Sequence, residues 1–120
     1  MKPEIKKLWV DALRSGEYKQ GTCKLRTDDK YCCLGVLTDL YFKKTGQGSW
    51  TDTPYCKGIF YFNCESGSDD QHLVSEIKGW AGLESFCPLS KEKRKALTEL
   101  NDNGMSFEDI AEIIEADRSI

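Results

Sequence analysis

Gly21-Thr22-Cys23-Lys24-Leu25-Arg26-Thr27-Asp28-Asp29-Lys30-Tyr31-Cys32-Cys33-Leu34-Gly35-Val36-Leu37-Thr38-Asp39-Leu40 is the stretch that decides the fold. Thr22 to Arg26 reads as a short strand, and Thr27-Asp28-Asp29 reads as a polar turn that can cap a helix. Two adjacent cysteines then open an apolar run. Cys33, Val36, Leu37, Leu40 and Tyr41 recur at helical spacing, so the pattern predicts a helix over 31–44. Lys43 and Lys44 favour its negative C-terminal end, and Gly46 stops it.

Upstream, Ile5, Leu8, Trp9, Ala12 and Leu13 form one apolar face, which predicts a helix over 3–15 with Pro3 in its first turn and Gly16 just past its end. Downstream, Gly, Ser, Thr, Asp and Asn punctuate residues 47–70 around the β-rich run Ile59-Phe60-Tyr61-Phe62. This reads as strand, loop, strand, with 55–64 in the sheet and Cys56 and Cys64 as cross-strand neighbours. A short helix is expected near 72–79. Ser90 can cap a helix over 91–101, and Ser106-Phe107-Glu108-Asp109 resembles a capping box opening a helix over 106–116. The fold expected is α+β: one compact domain of about four helices around a small antiparallel sheet.

Composition narrows the function classes. The chain has 120 residues, is 39% hydrophobic and carries a net charge of −3, as befits one globular domain. No apolar run approaches the ~20 residues of a membrane-spanning helix, so no membrane partner is expected. Met1 to Trp9 lacks the apolar core of a signal peptide, and six cysteines are therefore expected as free thiols in a reducing cytoplasm. Residues 1–30 carry eight Lys and Arg against five Asp and Glu, the other ninety nine against fifteen. That mild asymmetry does not support nucleic-acid binding, which brings a clustered basic face. It leaves the N-terminal third able to hold one small anion.

Four chemistries are weighed. Arg14, Tyr18, Lys19 and Gln20, followed by Arg26, place cations, an aromatic ring and an amide beside flexible glycines. Arg forks onto phosphate or carboxylate and Tyr stacks on a ring, so these residues with Cys32 are the candidate ligand site. Arg14 and Arg26 would then share a cleft, with Tyr18 as a wall and the start of the Cys32 helix as its floor. Cys32 is alternatively a nucleophile, with Gln20 at the oxyanion, His72 as base and Gly35 leaving space beside the thiol. That order is similar to papain-like and peptidoglycan-peptidase cysteine hydrolases. The blander account is a packing pair, Cys33 inward. The cysteines lack the paired spacing of zinc ligands, so no metal and no cofactor are expected. Residues 96–114 resemble the first two helices of a helix-turn-helix, but the closing segment is acidic and reads as a hairpin used for packing.

Leu8-Trp9-Val10-Asp11-Ala12-Leu13-Arg14-Ser15-Gly16-Glu17-Tyr18-Lys19-Gln20-Gly21, Tyr31-Cys32-Cys33-Leu34-Gly35-Val36-Leu37, Trp80-Ala81-Gly82-Leu83 and Leu100-Asn101-Asp102-Asn103-Gly104-Met105-Ser106-Phe107 resemble a family of small proteins encoded by tailed bacteriophages and prophages. The resemblance implies expression in the cytoplasm of an infected bacterium and brings no catalytic residues with it. Small phage accessory proteins often inhibit host systems or sequester nucleotide signals. The expected function is therefore a non-enzymatic phage accessory protein that blocks a host defence component, by sequestering an anionic, nucleotide-like molecule or by masking a host protein. The alternative is the cysteine hydrolase. Homo-oligomerisation is left open.

Overall fold

A computed structural model describes the whole chain, residues 1–120. Its axis is helix α2 (Cys33–Thr45), in which every residue from Cys33 to Tyr41 is buried. A helix covered on all sides lies inside a domain. Helices α1 (Pro3–Arg14), α3 (Ser75–Ala81) and α4 (Leu97–Asp102) pack around α2, and α5 (Phe107–Ala116) lies along α1. Trp9, fully buried on α1, donates its indole N–H to the Cys33 carbonyl at 3.0 Å. That bond supplies a partner for the one polar atom of the largest core side chain.

The sheet closes another side of α2. It comprises β1 (Lys19–Gln20), β2 (Arg26–Thr27), β3 (Lys30–Tyr31), β4 (Ser49–Asp52), β5 (Ile59–Cys64) and β6 (Gly67–Asp69). Their order is β1-β3-β2-β5-β4, with β6 also on β5. The sheet is mixed, because β1 and β3 run parallel while the other pairs are antiparallel. A two-stranded ribbon, β7 (Leu89–Ser90) and β8 (Lys95–Ala96), stands apart. The fold is thus α+β, in one compact unit. No helix is long and apolar enough to cross a membrane.

Register determines which side chains meet. Arg26 lies opposite both Tyr31 and Phe60, and Trp50 lies opposite Phe62. Residues directly opposite, or two apart on one strand, share a face. This face turns toward α2, where fully buried Phe62 meets the edges of the Tyr41 and Phe42 rings.

Several expectations are corrected. The second helix starts at Cys33, because Tyr31 pairs in β3 and Cys32 is the N-cap. The strand expected over 22–26 is displaced to 26–27, since Cys23 and Lys24 sit in a tight turn. The helix expected over 91–101 forms only over Leu97–Asp102. Lys91 to Lys95 have good helix propensity, but Ser90 is fully buried and Arg94 takes a left-handed φ of 55° to close the β7–β8 ribbon. Tertiary packing overrides propensity there. Cys56 and Cys64 are not cross-strand neighbours, because one lies in the β4–β5 loop and the other at the far end of β5. Gly35 leaves no space: a Cβ there would stand 1.8 Å from the Leu25 carbonyl oxygen. The acidic helical hairpin does serve packing, with α5 against both α4 and α1.

Candidate functional site

The expected site residues separate into five places. Arg14, in the last turn of α1, forks onto the Glu115 carboxylate of α5 at 3.0 and 3.1 Å. Each partner holds the other charged: the guanidinium is raised and the carboxyl lowered from its ordinary value. Arg14 therefore closes an exposed helix–helix seam, and the cleft expected between it and Arg26 is not formed.

Gln20 goes to the core side of β1. Its amide nitrogen donates to Asn101 Oδ1 at 3.1 Å and to the Met105 carbonyl at 2.7 Å, while its oxygen accepts the Phe107 N–H at 3.1 Å. Asn101 is fully buried; it also accepts the Cys33 N–H at 3.2 Å and donates to the Gly21 carbonyl at 2.8 Å. Two amides thus join β1, the start of α2, α4 and α5. No Gln20 donor is left for an oxyanion.

Cys32 is the N-cap of α2 and is 2% exposed. Its sulfur accepts the Gly35 N–H at 3.4 Å. Burial pushes the thiol up to about 11, against the weaker pull of the helix N–H groups. Cys33 is fully buried and is also raised by burial. Cys32 and His72 do face one cavity of about 260 Å³, but no hydrogen bond joins them. His72 is an exposed loop residue whose Nδ1 lies 4.0 Å from Asp69. No group of three or more His, Cys, Asp or Glu side chains is gathered as for a metal ion.

Tyr18 and Lys19 line an open cavity of about 310 Å³ with Glu17, Asp29, Tyr31, Asp39 and Lys43. Asp39 is its anchor, 5% exposed in mid-α2. Its Oδ2 accepts from the Tyr18 hydroxyl at 2.7 Å and from Lys43 Nζ at 3.0 Å, and its Oδ1 accepts from the Trp50 indole N–H at 3.1 Å. Burial, then the bond to Asp39, raises the Tyr18 phenol to about 12. Bonds to Tyr18 and Asp39 raise Lys43. Lys19 is taken by Asp29 at 2.8 Å. The lysines of this cavity are thus each engaged by a carboxylate.

Arg26 is different. Its guanidinium carbon stands 4.1 Å from the Phe60 ring centre, 5.4 Å from Tyr31 and 5.7 Å from Trp50. Nε donates to the Asp28 carbonyl at 2.8 Å, while the two terminal nitrogens have no protein partner. The planar ion is held by ring faces with its forked edge free. Tyr31 also meets the edges of Tyr18 and Trp50, so Arg26 and the Asp39 cavity share one aromatic wall. Beyond it the β4–β5 loop carries Tyr55, 96% exposed. Sequence reading found Arg26, Tyr18 and Lys19 but missed Asp39, Trp50, Phe60 and Tyr55. The cross-strand placement of Phe60 beside Arg26 needs the register, which the sequence does not show.

Residues 1–118 match DUF8296, a domain of unknown function, and the chain belongs to that family. No curated protein and no solved structure matches the chain.

Proposed function

We propose that this DUF8296 protein is a non-enzymatic accessory protein, phage-encoded, that masks a host protein through the face built on Arg26, Phe60, Tyr31, Trp50 and Tyr55. The observation that carries the reading is Arg26 itself. It is stacked 4.1 Å from Phe60, yet both terminal nitrogens are free to fork onto a carboxylate. Arg, Tyr and Trp are the residues that anchor protein interfaces most strongly. A tyrosine 96% exposed on the adjoining hairpin loop supplies apolar area with few rotamers to lose. The phage attribution is supported by the motifs around Leu8–Gly21 and Tyr31–Leu37.

Sequestration of a free anionic small molecule is the less supported mode. Arg14, Lys19 and Lys43 are already neutralised by Glu115, Asp29 and Asp39. Hydrolysis at Cys32 has less support again, since burial raises the thiol, no hydrogen bond joins it to His72 and Gln20 is engaged elsewhere. The test is affinity capture from extract of infected bacteria, run in parallel with Arg26→Ala, Tyr55→Ala and Arg14→Ala. A host protein held in stoichiometric amount, lost with the first two variants and kept with the third, supports masking. Retention by Arg26→Ala defeats it. Native mass spectrometry showing a nucleotide-sized adduct with no captured protein would restore the small-molecule mode.

A further inference from the structure

Cys23, His72 and, beyond its capping of α2, Cys32 have no part in the proposed face, and the fold brings them to one place. They line the cavity of about 260 Å³ together with Gln71, Thr98 and Asp102. Cys23 reaches it by an unusual backbone. Its φ is 71°, and the Lys24 N–H bonds back to the Thr22 carbonyl at 2.8 Å. That is a three-residue turn of the rare positive-φ kind, strained for a side chain that carries a Cβ. The Cys23 N–H is fastened to Asp102 Oδ1 at 2.8 Å, which fixes the turn to α4. One cavity is thus lined by an exposed thiol, Cys23, and a buried one, Cys32. Cys33, by contrast, is fully buried and does not line this cavity.

We propose that Cys23 and Cys32 are an oxidisable dithiol, in which a hydroperoxide oxidises Cys23 and Cys32 then closes a disulfide. In the first step the Cys23 sulfur attacks one peroxide oxygen. The O–O bond breaks, the sulfur is oxidised to sulfenic acid, and the peroxide is reduced to an alcohol or water. In the second, the Cys32 sulfur attacks the sulfenic sulfur. An S–S bond forms, the S–O bond breaks, and hydroxide leaves as water with the proton that Cys32 gives up. Burial keeps the Cys32 thiol protonated at rest, and the Gly35 N–H on its sulfur partly offsets that burial during the attack.

The bond closes the base of the segment that holds β2 and β3, and so holds Arg26 and Tyr31 in place. Any effect on partner binding rests on the masking function proposed above; the thiol chemistry does not.

The test uses the native full chain with a small excess of hydrogen peroxide, alkylation of remaining thiols, and mass spectrometry. The expected result is a loss of the mass of two hydrogens, with peptide Gln20–Lys24 joined to peptide Tyr31–Lys43 and fragmentation placing the bond at Cys32. Cys23→Ser should abolish this product, and Cys56→Ser, which removes the other exposed thiol, should leave it intact. A product that persists in Cys23→Ser overturns the proposal. So does oxidation of Cys23 by two oxygens without a partner, or a bond to Cys33, Cys56 or a second chain. None of these readouts involves a binding partner, so failure here and failure of the masking reading are separate results.

Discussion

Helix α2 carries two polar knots that do opposite things. At its N-terminus, Asn101 and Gln20 pair every polar atom they own, and Asn101 is fully buried. Nothing remains for a ligand. In mid-helix, Asp39 is equally well paired, but its donors Tyr18, Trp50 and Lys43 reach the surface. They prop an aromatic wall against which Arg26 keeps its forked edge free. A saturated buried amide specifies a fold; a saturated carboxylate under a half-exposed wall holds a face ready for something else. The same distinction separates Cys32, buried as the N-cap of α2, from the exposed Cys23.

The sharpest way to break the first knot is Gly35→Ala. The added carbon would collide with the Leu25 carbonyl, which cannot move without straining the bond it accepts from the Cys32 N–H at 3.1 Å. The cost should be at least ~3 kcal/mol, read as loss of the cooperative urea transition or a collapse of its midpoint. Asn101→Ala leaves the Cys33 N–H, the Gly21 carbonyl and the Gln20 amide short of partners. About 3 kcal/mol should be lost by the same measurement. Asp39→Ala, in the second knot, should cost about 2 kcal/mol, because water can reach Tyr18 and Trp50 once the carboxylate is gone.

A smaller effect distinguishes the knots by pH. The Tyr18 phenol stands at about 12 in the fold against 10.0 in a free chain. The folded protein therefore keeps a proton that the unfolded chain releases in that window. Its contribution is complete below pH 10 and is lost as pH rises toward 12. The thermal midpoint should fall more steeply over that interval in the wild type than in Tyr18→Phe. Equal slopes would mean that Tyr18 is not held under Asp39. Smallest in stability is Arg26→Ala, with a loss below ~1 kcal/mol, as expected for a half-exposed cation on rings.

Much of the architecture was legible because it rests on local pattern. The helix over Cys33–Thr45, its Gly46 stop and the Ser106 cap follow from period and capping chemistry. What failed depends on distant packing. Lys91-Glu92-Lys93-Arg94-Lys95 looks helical in isolation, yet the buried Ser90 and the pairing of Leu89 with Ala96 turn it into a ribbon. The site was half visible for the same reason. Arg26 and Tyr18 stand out as residue types, but only the β2–β5 register sets Phe60 beside Arg26, and only the packing of α1 on α5 assigns Arg14 to Glu115.

Partner binding, as proposed, belongs to the Arg26 face, and the thiols at the start of α2 take no direct part in it. Calorimetric titration of the captured host partner against Arg26→Ala and Cys32→Ser separates the two places. Arg26→Ala should lose at least ~30-fold in affinity, the size of an interface hot spot, and Cys32→Ser should bind as the wild type does. Unchanged binding by Arg26→Ala, with loss on Cys32→Ser in a protein that remains folded, would contradict it.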